Sequence, residues 1–122
     1  MNAELEEFIA ISEEAIIGLL SERYGCTDEQ YRDSRRRQPR WPFDAPVELW
    51  LRDEAGGEEY VLGTALNLSP HGVAVALDFP LDLEQRLPLA IHQPEASLHG
   101  EATVRHCREV EDGYHIGLEF VF

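Results

Sequence analysis

The chain has no lysine, one methionine and two cysteines. Cys26 and Cys107 are too few for the disulfide framework that staples small secreted domains. The first residues carry Glu4, Glu6 and Glu7 where a secretory signal carries positive charge. No apolar run is long enough to span a bilayer. These absences lead to the expectation of a cytoplasmic, reduced protein with no membrane partner. Positive charge is also scarce: the formal net charge is -14 and the pI about 4.6. A surface so acidic repels phosphate backbones and excludes long nucleic acids as general partners. With 122 residues the chain has room for about one domain and a modest core.

What positive charge there is has been concentrated. All ten basic residues are arginine, and five of them (Arg32, Arg35, Arg36, Arg37 and Arg40) fall within nine positions. Against Asp33 they leave that window at +4 and the rest of the chain at −18. Pro39 disfavours a helical conformation at Gln38, so the segment reads as a loop. In an extended loop Arg36 and Arg40 point to the same side, at most about 13 Å apart. Two planar guanidiniums so placed can clamp a phosphate or stack on a purine. A solvated charge run beside a helix end has the same composition.

Leu5, Phe8, Ile9, Ile16, Leu19 and Leu20 recur at helical spacing and predict an amphipathic helix over 3–24, with Asn2 as N-cap and Gly25 as its stop. Thr27 with Gln30 forms a capping-box pattern, which predicts a short second helix over about 28–34. After Pro42 the period changes to two. Val47, Leu49 and Leu51, the stretch 59–67, Val73 to Leu77, Leu87 to Ile91, Leu98 to Val104 and Tyr114 to Phe122 predict six short strands. Asp112-Gly113 signals a hairpin before the last one. Six such strands favour an antiparallel barrel or sandwich.

Between the second and third strands lies NLSPHG, Asn67 to Gly72. Asn67 and Ser69 are two apart and face one side of a strand end, away from Leu66 and Leu68. An amide and a hydroxyl placed together can read the hydrogen-bonding edge of a base, and Gly72 lets a backbone or ligand approach closely. The same residues also make an ordinary turn.

Taken together, R-x-x-x-R at Arg36 to Arg40 ahead of the first strand and N-x-S-x-x-G at Asn67 to Gly72 after the second resemble the PilZ domain family, bacterial receptors for cyclic di-GMP. The resemblance covers about residues 32–122 and includes the closing GLEF, Gly117 to Phe120. It implies a mainly β fold: a six-stranded antiparallel PilZ-type β-barrel at 32–122, with residues 1–31 left as the N-terminal helical extension read from the periodicity above. It also implies a function, that of a cyclic di-GMP receptor that changes conformation on binding and signals to an unidentified downstream protein. Carried over residue by residue, Arg36 and Arg40 are the clamp, Asn67, Ser69 and Gly72 the base-binding turn, and Arg35 and Arg37 auxiliaries. PilZ domains usually carry a helix after the last strand. This sequence ends with that strand at Phe122, so no C-terminal helix is expected, and its apolar helix lies at the other end. That helix either packs over the barrel or pairs with a second copy to make a homodimer.

No enzyme is expected. Ser69 and His71 are two apart without a third group to complete a triad. No metal site is expected either, since His71, His92, His99, His106 and His115 are scattered and lack ligand spacing. The alternative function is a PilZ-like protein–protein interaction module that does not bind nucleotide. With no second domain in the sequence, the output is expected in another chain or in self-association.

Overall fold

A computed structural model describes residues 7–25, 41–52, 56–94 and 96–122. The elements in chain order are β1 (Glu7–Ala10), α1 (Glu13–Tyr24), β2 (Trp41–Pro42), β3 (Pro46–Arg52), β4 (Glu58–Ser69), β5 (Gly72–Leu77), β6 (Arg86–His92), β7 (Ala96–Val110) and β8 (Gly113–Val121).

Strands β3 to β8 are the six expected from the period-two pattern, and they close on themselves. Each pairs antiparallel with its neighbours in the cyclic order β7-β6-β3-β4-β5-β8, and β8 returns to β7. Closure removes the exposed edges of an open sheet. The alternating apolar residues point inward, and Val47, Leu49, Val75, Ile91, Val104 and Ile116 are all fully buried. Among the described residues the single helix precedes the barrel and none follows β8.

The N-terminal reading needs correction. In place of a helix over 3–24, the chain forms a strand, β1, and begins its helix only at Glu13. Glu7 to Ala10 run parallel to Ala96 to His99 of β7, and the Ile11 amide continues the ladder by donating to the His99 carbonyl at 2.7 Å. Ser12 then breaks the strand. Its hydroxyl accepts from the Ala15 amide at 3.1 Å, and Glu13 and Glu14 sit in the first turn, where the helix dipole favours negative charge. Gly25 ends the helix at φ 70°, a left-handed conformation natural to glycine. Asn2 and the short helix expected at 28–34 lie outside the described residues.

Helix α1 packs within its own chain. Ile16, Ile17 and Leu20 are buried in one continuous cluster with barrel residues such as Phe43, Leu68 and Leu118. At about 1.5–3 kcal/mol per side chain, these three dominate the docking of the helix. Of the predicted stripe, Ile16 and Leu20 are thus covered intramolecularly, while Phe8 remains exposed.

Candidate ligand-binding site

Asn67, Ser69 and Gly72 lie on one hairpin, at the end of β4 and the start of β5. A bulge makes their orientation. Ala65 pairs with Val75, but Asn67 pairs with Ala74, so Leu66 is the extra residue. Without it, Asn67 would share the inward parity of Gly63 and Ala65. With it, Leu68 takes the inward position and is fully buried, while Asn67 and Ser69 turn to the outer face. Asn67 Oδ1 is buried and has no hydrogen-bond partner among the described residues. Ser69 is only 5% exposed, and its hydroxyl faces the Gly72 carbonyl at 3.4 Å, a long and weak contact.

Gly72 is required by the barrel itself. A Cβ there would meet the Leu118 carbonyl oxygen of β8 at 2.4 Å. The sequence could not distinguish this close approach of two strands from the approach of a ligand.

Strand β2 brings the chain that follows residue 40 onto this hairpin. Trp41 is registered against Leu68 and Pro42 against Asn67. Helix α1 touches both parts. At its first turn Glu13 Oε2 lies 2.7 Å from His71 Nε2. At its last turn the Tyr24 hydroxyl donates to the Pro42 carbonyl, and the Arg23 guanidinium lies over the Phe43 ring, 4.6 Å from its centroid. Arg35, Arg36, Arg37 and Arg40 lie outside the described residues.

Beside the hairpin is a depression of about 180 Å³, lined by Ser69, His71, Gly72, Arg105, His106 and Glu119 among others. Sequence reasoning missed Arg105. It is the extra residue of a second bulge, between Val104 and His106 on β7. Arg105 Nε donates to Glu119 Oε1 at 2.7 Å, and Nη1 donates to the Glu84 carboxylate at 2.7 and 2.9 Å. These bonds, Glu119 first and Glu84 second, raise its pKa above that of an ordinary arginine. The His106 ring lies over Gly117, where a Cβ would come within 2.1 Å of it.

Register also assembles a serine–histidine–carboxylate chain that the sequence did not reveal. His92 Nδ1 lies 2.8 Å from Ser97 Oγ, and Nε2 pairs with the Glu48 carboxylate. Ser97 is fully buried, so its hydroxyl has no route to a substrate, and the array ties β3, β6 and β7 together. Among the described residues no group of histidine, cysteine, aspartate and glutamate side chains is placed to hold a metal ion. No helix among them is long and apolar enough to cross a membrane.

Among curated protein sequences none matches the chain. Among solved structures, the Bacillus subtilis inhibitor of motility, MotI/DgrA, is similar at 26% identity and a TM-score of 0.57, over 71% of this chain and 43% of that one. The MrkH–c-di-GMP complex of K. pneumonia is similar at 22% identity and 0.58, over 73% of this chain and 45% of that one. YcgR in complex with c-di-GMP from Escherichia coli is similar at 16% identity and 0.54, over 70% and 38%. The last two likenesses concern the fold alone, and the chain spans less than half the length of all three proteins. The model of the PilZ domain matches residues 34–122, which is most of the sequence and the whole of the closed barrel, and the chain belongs to the PilZ domain family.

Proposed function

We propose that the chain is a receptor for cyclic di-GMP, with Arg36 and Arg40 clamping the dinucleotide, Asn67, Ser69 and Gly72 holding a guanine, and Arg35 and Arg37 assisting. The observation that carries this reading is the register of β2. Arg40 is bonded to Trp41, one trans peptide spans about 3.8 Å between Cα atoms, and Trp41 is paired with Leu68, between Asn67 and Ser69. Chain connectivity thus joins the arginine segment directly to the polar hairpin. The family membership and the c-di-GMP bound by MrkH and YcgR point the same way. Arginine suits two phosphates and two flat purines because it supplies charge and a stacking plane together.

Binding at the hairpin reaches α1 through its two ends, Glu13 on His71 and Tyr24 on Pro42. Burial of Ile16, Ile17 and Leu20 holds the helix far more strongly than a half-exposed Glu13–His71 pair, worth about 0–1 kcal/mol. Ligand binding therefore shifts the first turn of a helix that stays docked. That shift is the signal offered to a downstream protein, in the cytoplasm of a bacterium.

The second reading is an interaction module without a nucleotide. One observation favours it: Ser69 is buried and already turned toward Gly72. At 3.4 Å that contact is weak enough to exchange for a ligand. Calorimetric titration with cyclic di-GMP, with cyclic and linear di-AMP as controls, decides between the two. Saturable binding of the guanine compound alone supports the receptor, and its absence supports the interaction module.

A further inference from the structure

The depression beside Gly72 contains a cation with two anions already on it. Arg105 is 48% exposed at its side chain, the Glu84 and Glu119 carboxylates 68% and 50%. The three groups together carry a charge of −1. Glu84 is fixed in this position: its backbone is left-handed at φ 69°, a conformation uncommon outside glycine, and its amide donates to the Val104 carbonyl at 2.8 Å. The carboxylates engage Nε and Nη1 of the guanidinium, and Nη2 takes part in neither pair. At about 180 Å³ the depression is smaller than the roughly 300–1,000 Å³ of sites that enclose a whole ligand. It is a subsite for one part of a larger molecule.

We propose that Arg105 is a further ligand-contacting residue, taking a phosphate oxygen of the nucleotide, and that Glu119 and Glu84 compete with that phosphate and so hold the affinity down. This rests on the receptor reading above. The physical ground is that a guanidinium binds carboxylate and phosphate through the same planar fork. An arginine aimed by two carboxylates is preorganised, yet its charge is already compensated. A phosphate entering the depression gains Arg105 only against repulsion from Glu119 and Glu84. The carboxylates thereby act in the opposite sense to the guanidinium although all three line or border one site.

The test is calorimetry of the full chain with cyclic di-GMP, comparing the wild type with Arg105→Gln, Arg105→Lys, Glu119→Gln and Glu84→Gln. The proposal expects Arg105→Gln to weaken binding about tenfold and Arg105→Lys to recover part of the loss. It expects Glu119→Gln and Glu84→Gln each to tighten binding about threefold or more, with the gain from Glu119→Gln abolished in the Arg105→Gln background. Thermal melts of each variant establish that it folds, and all three positions are exposed. A wild type that binds, with Arg105→Gln equal to it or Glu119→Gln weaker than it, overturns this inference alone. A wild type that does not bind overturns the receptor reading and this inference with it.

Discussion

Glu13 on the first turn of α1 reaches His71 in the β4–β5 turn, carboxylate to imidazole at 2.7 Å, across 58 positions of sequence. Behind His71 the Phe122 ring lies at 6.1 Å between centroids, and the His71 carbonyl accepts from the Phe120 amide at 2.8 Å. The turn is thus held from the helix and from the last strand at once.

Glu13→Gln removes the carboxylate from the His71 contact and leaves the apolar docking intact. Global stability should fall by less than about 1 kcal/mol, while amide exchange at residues 13–17 should quicken. Leu20→Ala, at a fully buried position, should instead cost about 2–5 kcal/mol. Urea unfolding with hydrogen exchange separates the two. Equal losses of stability from both variants would mean that the Glu13–His71 contact holds the helix as strongly as the buried side chains do.

Asn67 should separate stability from binding. Its Oδ1 has no partner among the described residues, and a buried unsatisfied acceptor costs about 1–3 kcal/mol. Asn67→Ala should therefore leave the unfolding free energy unchanged or raise it by up to about 1 kcal/mol. On the receptor reading, which offers this acceptor to a guanine, the same variant should weaken cyclic di-GMP binding about tenfold or more. Unfolding curves and calorimetry on one preparation check both halves.

Two glycines should respond with opposite signs. Gly72→Ala drives a methyl into the Leu118 carbonyl, which is backbone and cannot swing aside, and should destabilise by on the order of 1–3 kcal/mol. Gly18→Ala lies in α1 with nothing within 4 Å of the new carbon, and should stabilise by roughly 0.5–1 kcal/mol through helix propensity. Paired thermal melts give the answer.

Tyr60 should titrate above its ordinary value of 10, because partial removal from water and then the Glu48 carboxylate favour the neutral phenol. A folded-state pKa raised in this way stabilises the fold below the unfolded value. The contribution is lost as pH rises through the higher folded value. Ultraviolet titration of phenolate, with Tyr60→Phe identifying the signal, should show the midpoint falling in Glu48→Gln.

The barrel was legible because its inner face is uniformly apolar, so Val47, Leu49 and Leu51 and their counterparts kept strict alternation. The first strand was not. Phe8 and Ile9 fit a helical stripe with Ile16 and Leu20, and only the cap at Ser12, followed by two glutamates, marked the boundary. Strand β2 has two residues and no period to detect. Both bulges were silent as well. Leu66 passes for a core residue and Arg105 for an ordinary outward one, so the polar turn could be named from its sequence while its neighbouring cation could not. The Glu48–His92–Ser97 array depends on strand register, which no local pattern carries.

The most direct test of the receptor reading is calorimetry of the full chain with cyclic di-GMP, repeated for Arg36→Ala and Arg40→Ala. The account predicts saturable binding by the wild type and a loss of about 2 kcal/mol, roughly thirtyfold in affinity, for each substitution. No binding by the wild type, or binding that neither substitution weakens, would contradict it.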